Sequence, residues 1–289
     1  MHSKFKKVGI LGRIRDDKII ETLRYLIQLL DVWQQSYVVD ISLKPMIEEG
    51  CEYFSAESLA KACDLLIVVG GDGSLLQAAR LGVEYQLPVV GINKGRLGFL
   101  TDILPEHLET ELRAVLEGKY IMEERFLIDV VVNADGKKIY KNLALNDVAL
   151  LPGDVAQMIE FEIFIDRQFV CKQRADGMIV ATPTGSTAYA LSGGGPILEP
   201  HLEAMVLVPM FPHTLSNRPL VVSSGSKIDI KIPLTNETSP WLSCDGHEKE
   251  LINPGTEIHI QKHKTLLNLI HPAHYNYYET LRAKLHWIS

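Results

Sequence analysis

The feature that most constrains the fold is a run of five apolar residues that ends abruptly in glycines. Residues 65–69 read Leu-Leu-Ile-Val-Val, and Gly70-Gly71-Asp72-Gly73 and then Ser74 follow directly. An apolar run rich in β-branched residues and bounded by glycine predicts a buried strand that ends in a tight turn. Since serine is a common helix cap, we expect a helix to begin at Ser74.

The acid in this turn, Asp72, is a candidate for chemistry. Glycines let the backbone approach a ligand closely, and the free N–H groups at the start of a helix favour phosphate. A carboxylate placed where phosphate would bind suggests a base or a metal ligand. The alternative, equally weighted for an isolated Gly-Gly-Asp-Gly, is that Asp72 only closes the turn.

Composition narrows the class of protein. The chain has 289 residues, with 46% hydrophobic and 22% charged, which is typical of a globular protein with one large or two ordinary domains. Its longest apolar runs are too short to span a bilayer, and no apolar signal segment precedes the first predicted strand. We therefore expect a cytoplasmic protein with no membrane partner. Its four cysteines are scattered, which predicts free thiols: Cys51, Cys63, Cys171 and Cys244.

The charge balance also limits the ligands. A formal net charge of −7 argues against a nucleic-acid partner. An anionic ligand would have to be bound locally, by backbone N–H groups, by a divalent cation or by a few basic residues. Lys94, Arg96 and Arg174 are the candidates for that contact.

Strands and helices alternate in the first part of the chain. The patterns predict strands at 8–12, 37–41, 65–69 and 88–93, and helices from Asp16, at 55–62 and at 74–85. Trp33 continues the helical spacing of the first helix and is expected in the core. Alternation of this kind predicts a doubly wound parallel sheet with its ligand crevice at the carboxyl ends of the strands. Residues 70–73 and 93–99 both leave the sheet at that edge.

The later part of the chain has a different pattern. A polar helix after Pro105 ends near Gly118, and short alternating segments with turn residues follow, including a hairpin turn at 133–136. The fold class predicted is an α/β domain at 1–104 and an all-β, sandwich-like domain at 105–274. A C-terminal helix at 275–289 is expected to return to the first domain.

A second segment with chemical potential lies within the β-rich part. A short strand leads into Thr182-Pro183-Thr184-Gly185-Ser186, then about one and a half helical turns, then three glycines. Hydroxyls and N–H groups at a helix start suit phosphate or ribose oxygens. Tyr189 and Ser192 are expected on one face of this helix. Taken alone, the segment is better explained as a capped helix with a glycine exit.

Five motifs, in this order along the chain, resemble those of the NAD kinases, most closely the bacterial ones. They are Gly70–Gly73, Gly91–Asp102, Asn146-Asp147, Thr182–Ser192 and Phe211–Leu215. The resemblance extends from about Lys7 to the end of the chain. The ordered set is far more specific than the first motif alone, because diacylglycerol kinases, sphingosine kinases and phosphofructokinases carry a similar Gly-Gly-Asp-Gly.

The resemblance implies an enzyme that transfers the γ-phosphoryl group of ATP to the 2′-hydroxyl of the adenosine ribose of NAD, making NADP. Asp72 would be the proton acceptor for that hydroxyl, which suits a reaction that depends on positioning. The ATP phosphates would lie between the first glycine-rich turn and Thr184–Ser186. Mg²⁺ or Mn²⁺ would arrive with the nucleotide, because the chain offers no evident protein cage. A homo-oligomer, either a dimer or a tetramer, is also implied.

The resemblance further implies a set of residues that contact the dinucleotide. These are Gly73, Asn146, Asp147, Gln157, Arg174, Asp176, Thr187, Ala188, Tyr189, Ala190, Leu191, Ser192 and His247. Three of them depart from the family pattern: Asp147 replaces a glutamate and is one methylene shorter, His247 replaces a glutamine, and Gln157 replaces a histidine. Phe99 is expected either to stack near a base or to belong to the core.

Two other functions stay open at this level, and one motif has a competing explanation. A lipid kinase of the diacylglycerol or sphingosine class shares the first motif but explains the Thr182–Ser192 helix poorly, and no basic amphipathic surface is evident. A protein that senses NAD without chemistry is the other alternative, which the intact Asp72 argues against. His271 and His274 have a spacing seen in metal sites, but Pro272 works against a helical pair.

Overall fold

The computed structural model describes residues 3–13, 17–47, 50–95, 97–153 and 157–287. It divides into two compact units, one formed by Met1–Glu124 with Leu267–Ser289 and the other by Arg125–Leu266. These boundaries differ from the predicted 104/105 and 274/275. Asp16, which we expected to begin a helix, lies outside the described residues, and so does Arg96, which we expected to contact an anion.

The first unit contains the doubly wound parallel sheet that the sequence predicts. Its strands lie in the order Val89–Ile92, Leu65–Val69, Lys7–Gly12, Ser36–Asp40 and Tyr53–Phe54, and all neighbours are parallel. Leu269 and Ile270, near the end of the strand Glu257–Pro272, pair in parallel with Val89 and Val90. The helices of this unit are Asp17–Val32, Ala56–Ala62, Asp72–Glu84, Leu108–Leu116 and Tyr277–Leu285.

One apolar cluster holds this unit together and explains its boundary. The strand Leu65–Val69 is buried along its whole length, and Trp33 is 8% exposed, as its helical spacing predicts. The helix Leu108–Leu116 buries four apolar side chains in the same cluster. Each fully buried aliphatic side chain contributes about 1.5–3 kcal/mol, so this helix belongs to the first unit although it follows the last strand of the alternating pattern. The C-terminal helix also lies in this unit, as expected.

The helix after the glycine-rich turn begins earlier than the sequence indicates. It starts at Asp72, its N-cap is Gly71, and no side chain caps it. Ser74 is instead packed against Gly70, where a Cβ would lie 2.4 Å from the Ser74 hydroxyl, and Gly70 has a φ of +152°. The expected serine cap was therefore wrong. The helix dipole stabilises a negative charge in the first turn of a helix, so it stabilises the Asp72 carboxylate there.

The second unit is a sandwich of two sheets. One sheet pairs Gln168–Ala175, Ile159–Ile165, Ile228–Lys231 and residues 257–260, all antiparallel. The other has the order Leu220–Ser223, Ala204–Met210, Gly177–Ala181, Asp147–Leu151, Trp241–Cys244 and Glu248–Leu251. Inward-facing residues of both sheets, among them Phe161 and Met178, share one apolar core. This confirms the β-rich, sandwich-like domain.

The remaining strands of the chain are Tyr120–Ala134 and Lys137–Ala144. They form the predicted hairpin, with Asp135 and Gly136 at positive φ in its turn. This matches the turn type that Asp-Gly favours between two strands. Among the helices that the structure describes, none is long and apolar enough to cross a membrane.

Candidate functional site

In the first unit, the Asp72 carboxylate is fixed by a neighbouring loop. The backbone N–H of Phe99 donates to Oδ2 at 2.9 Å, and that of Leu100 donates to Oδ1 at 3.0 Å. The hydroxyl of Thr101 lies 3.2 Å from Oδ1 and donates to it. Phe99 thus contributes through its backbone, and its side chain is half-buried. Three donors from one loop fix the direction in which the carboxylate points.

The same loop is held at the end of its strand by Asn93. The backbone N–H of Asn93 donates to Ile103 O at 2.8 Å, and its side-chain amide donates to the Thr101 hydroxyl at 2.7 Å. Since that hydroxyl in turn donates to Asp72, a chain of hydrogen bonds runs from Asn93 to the carboxylate. Gly98 permits this approach, because a Cβ there would lie 2.2 Å from Asp72 Oδ1. The sequence marked this segment as a motif but did not show that it binds Asp72.

A cavity of about 780 Å³ adjoins this carboxylate. Its lining consists of Asp17, Lys18, Gly71, Asp72, Asn93, Lys94, Gly95, Gly98 and Lys284. Three of these residues are lysines, so positive charge lies next to a glycine-rich turn at a helix N-terminus, an arrangement that suits phosphate. Lys94 was predicted as an anion contact. Lys18 and Lys284 were missed, since they lie on the first and last helices and have no local motif.

In the second unit, a buried acid that sequence reasoning passed over organises the Asn146-Asp147 motif. The Asp245 carboxylate accepts the backbone N–H groups of Leu145, Asn146 and Asp147, at 3.0, 2.8 and 3.2 Å. The N–H of Asp245 donates back to Asp147 O at 2.9 Å. Asp245 therefore fixes the backbone from which the Asn146 and Asp147 side chains project.

The Thr182–Ser186 turn packs against this motif. The N–H of Thr182 donates to Asn146 O at 2.9 Å, and a Cβ on Gly185 would lie 2.0 Å from the same oxygen. The buried Ser186 hydroxyl donates to Pro183 O and accepts the Leu198 N–H. The Ser186 hydroxyl, which the sequence suggested as a phosphate contact, thus stabilises the turn instead. Gly185 has to be glycine because the two backbones touch.

Four of the predicted dinucleotide residues line one cavity of about 310 Å³: Asn146, Asp147, Ala188 and Tyr189. Asp147 is 5% exposed, and burial, assisted by the negative charge of Asp245, raises its pKa to about 7. Burial and the proximity of Asp147 also raise the pKa of Tyr189. A carboxyl that is partly protonated near neutral pH can donate as well as accept a hydrogen bond. This chemistry suits a hydroxyl-bearing ligand.

Unsatisfied polar atoms point to a ligand in the same cavity. The side-chain oxygens of Asn146 and Ser243 are buried and have no hydrogen-bond partner within the part of the chain that the structure describes. Both residues line the cavity. Because a buried polar atom without a partner costs free energy, a bound polar molecule would relieve that cost.

The other predicted contacts are distributed differently. Gln157 and Arg174 line a separate cavity of about 460 Å³, and Tyr189 and Ser192 line a third of about 450 Å³, in agreement with their shared helical face. The side chain of Ala190 is fully buried in an apolar cluster, so only its backbone is available to a ligand. Its small side chain fills the core under the helix.

The rest of the set lies outside the linings of these cavities. Asp176 and Leu191 are half-buried, Thr187 donates its hydroxyl to Thr184 O at 3.2 Å, and Gly73 is an exposed residue in the first helical turn after Gly71. His247 is exposed, and its Nδ1 lies 2.7 Å from Asp245 O. Its link to the site is therefore through the backbone of Asp245.

The two histidines with metal-like spacing have separate partners. His271 is fully buried, and its Nδ1 lies 2.7 Å from Asp102 Oδ2. His274 is largely exposed and lies 3.5 Å from Glu111. Across residues 3–13, 17–47, 50–95, 97–153 and 157–287, no three His, Cys, Asp or Glu side chains are grouped closely enough to hold a metal ion.

Comparisons with known proteins bear on these sites. Residues 8–120 match the family model of the ATP-NAD kinase N-terminal domain, and residues 145–272 match that of the ATP-NAD kinase C-terminal domain. The chain is 49% identical to an NAD kinase of Chromohalobacter salexigens over 286 residues, which covers 99% of this chain and 98% of the relative. It is 50% identical to an NAD kinase of Coxiella burnetii, with 98% and 95% covered.

Solved structures with this fold include two kinases with bound nucleotides. An NAD kinase from Archaeoglobus fulgidus in complex with ATP has a TM-score of 0.74 and 28% identity, and the match covers 98% of this chain and all of that one. A yeast NADH kinase complexed with NADH has a TM-score of 0.87 at 24% identity, and the match covers 99% and 92% of the two chains. At that identity the yeast structure supports the fold alone.

Proposed function

The chain belongs to the NAD kinase family, and from that premise we propose that it transfers the γ-phosphoryl group of ATP to the 2′-hydroxyl of the adenosine ribose of NAD. It is thus a phosphotransferase with an alcohol as acceptor, and its product is NADP. The single observation that supports this chemistry best is the fixed carboxylate of Asp72, beside a cavity with three lysines.

Asp72 is the proton acceptor in this proposal. An ionised carboxylate offers about four lone-pair sites, and the loop donors Phe99, Leu100 and Thr101 use three of them. One site is left for a substrate hydroxyl. A carboxylate that receives the proton as the bond to phosphorus forms lets a neutral alcohol act as the nucleophile.

The ATP phosphates bind at the lysine-lined cavity of the first unit. Lys18, Lys94 and Lys284 neutralise phosphate charge, and the N–H groups after Gly71 donate to phosphate oxygens. Mg²⁺ or Mn²⁺ enters with ATP, since two carboxylates, Asp17 and Asp72, are all that the described lining of the cavity supplies. When bound, the metal offsets the negative charge of the phosphates.

The dinucleotide binds through the second unit. Asn146, Asp147 and Tyr189 contact its hydroxyls, and Asp245 positions the first two. The remaining contacts are proposed at Gly73, Gln157, Arg174, Asp176, Thr187, Ala188, Ala190 through its backbone, Leu191, Ser192 and His247. The shorter Asp147 bridges to the ribose through a water molecule.

The enzyme works as a homo-oligomer, a dimer or a tetramer, in the cytoplasm. Support for association comes from large apolar side chains left in solvent, such as Phe211 at 77% and Leu215 at 91% exposure. Support for a reducing compartment comes from the four cysteines, which are all free within the described residues.

A coupled assay on the purified protein tests the function. We expect equimolar NADP and ADP from NAD and ATP, and initial rates with NAD⁺ and NADH, each against ATP and polyphosphate, would define the two substrates. Binding of NAD without any turnover would instead identify an NAD sensor. Phosphorylation of diacylglycerol or sphingosine in place of NAD would identify a lipid kinase.

A further inference from the structure

A fully buried histidine in the first unit lies between two buried acids and is not part of the proposed chemistry. His271 Nδ1 is 2.7 Å from Asp102 Oδ2, and its Nε2 is 3.4 Å from Glu123 Oε2. The ring of Tyr275 stacks on the imidazole at a centroid distance of 3.8 Å and an angle of 10°. Burying charged side chains costs free energy, so this cluster of one histidine and two acids calls for a role that offsets the cost.

The charge state of the cluster agrees with an ion pair. Burial alone would lower the pKa of His271, but the hydrogen bond to Asp102 and the negative charges of Asp102 and Glu123 more than offset this and raise it. The other Asp102 oxygen, Oδ1, is buried and has no hydrogen-bond partner among the residues that the structure describes. His271 is therefore the side chain that compensates the buried Asp102 carboxylate.

Asp102 directly follows the loop that holds Asp72. Phe99, Leu100 and Thr101 all donate to the Asp72 carboxylate, so the contact of the next residue with His271 is an attachment of this loop in addition to Asn93. His271 is at the end of the strand Glu257–Pro272, right after the residues that pair with Val89 and Val90. The pair thus connects a rigid sheet strand to the loop around Asp72.

We propose that His271 is a positioning residue for phosphoryl transfer, which holds Asp102 and thereby keeps the backbone N–H groups of Phe99 and Leu100 aimed at Asp72. This inference rests on the proposed role of Asp72 as proton acceptor. The physical reason for an effect on rate is that a small displacement of a reacting group lowers the rate steeply.

Two substitutions of His271 separate positioning from bulk stability. His271→Asn keeps a donor nitrogen at the place of Nδ1, facing Asp102, whereas His271→Gln moves it to the place of Nε2, facing Glu123. We expect His271→Gln to lower kcat by about 10- to 100-fold with an unchanged KM for NAD, and His271→Asn to retain most of the wild-type kcat. Equal kcat values in the two variants would overturn the inference.

A second readout is independent of catalysis. Amide hydrogen exchange at Phe99 and Leu100 should be faster in His271→Gln than in the wild type, because the loop loses one of its attachments. His259→Gln is the matched control, since His259 Nδ1 pairs with Asp229 at 2.6 Å in the other unit. Unchanged exchange at both amides in His271→Gln would refute the link between His271 and the loop.

If His271→Gln does not fold, Asp102→Leu provides the test, because it keeps the approximate size of the side chain and removes both oxygens that can accept a hydrogen bond from His271. A lowered kcat with an unchanged KM for NAD supports the inference, and a normal kcat overturns it. Asp72→Asn separates the two proposals. Full activity in that variant would refute the role of Asp72, while the exchange experiment would still report on the anchoring of the loop.

Discussion

The buried carboxyl of Asp147 gives the most quantitative prediction. Its pKa is about 7 in the folded protein, against an ordinary value of 3.8 for an aspartate, so ionisation of this group opposes folding. Between pH 4 and pH 7 the folded protein keeps the proton on Asp147, whereas the unfolded chain has released it. The free energy of unfolding therefore falls as the pH rises from about 4 to 7. Above pH 7 the full cost applies, about 4 kcal/mol at 1.36 kcal/mol per pKa unit.

Asp147→Asn removes the charge and keeps the shape. At pH 5 the wild type carries roughly 2 kcal/mol of this cost, and at pH 8 roughly 4 kcal/mol, by the same linkage relation. We therefore expect the variant to gain about 2–3 kcal/mol more stability, relative to the wild type, at pH 8 than at pH 5. Urea denaturation followed by circular dichroism at both pH values measures this difference.

Asp135→Asn is the control, because it also removes one carboxylate from the second unit, but from an exposed hairpin turn. The quantity compared is the change in the free energy of unfolding between pH 5 and pH 8 in Asp147→Asn, after the same change in the control is subtracted. A difference below about 0.5 kcal/mol between pH 5 and pH 8 would refute the assignment of a perturbed, buried carboxyl, since this is the usual range for surface substitutions.

Three further predictions concern the reaction. Asp72→Asn should lower kcat by about 10² to 10⁴, the usual contribution of a general base, with the KM for NAD within a few fold of wild type. Lys284→Gln should raise the KM for ATP about tenfold, because one phosphate contact is lost, and should leave the KM for NAD unchanged. The control Lys61→Gln, at a lysine outside the cavity, should alter neither KM. Asp147→Glu, which restores the family residue, should bind NAD as well as or better than the wild type in titration calorimetry.

Each of these has a result that contradicts it. Near-normal turnover in Asp72→Asn would remove Asp72 from the chemistry. An equal rise in both KM values for Lys284→Gln would indicate a structural role. A tenfold loss of NAD affinity in Asp147→Glu, equivalent to about 1.4 kcal/mol, would show that the pocket has adapted to the shorter side chain.

The local chain determined a large part of the fold. The apolar run before Gly70, the helical spacing around Trp33 and the Asp135-Gly136 turn each depend on neighbours within a few residues, and periodicity and backbone restriction reveal such features directly. The strand–turn–helix unit, the alternating first domain and the β-rich second domain followed from them. The motifs also predicted Asp72, Asn146, Asp147 and Tyr189 as site residues, and all four line cavities.

Only the tertiary structure showed what holds those residues. Asp245 binds the backbone at Asn146 from almost a hundred positions away, and Lys284 reaches the cavity of Asp72 from the last helix. The expected Ser74 cap was wrong because Ser74 packs against Gly70. The side chain of Ala190 is buried in an apolar cluster, which its position in the motif did not indicate. Contacts between distant segments leave no periodic pattern in the sequence. The partners of a buried acid such as Asp245, or of a buried histidine such as His271, are therefore set only when the chain has folded.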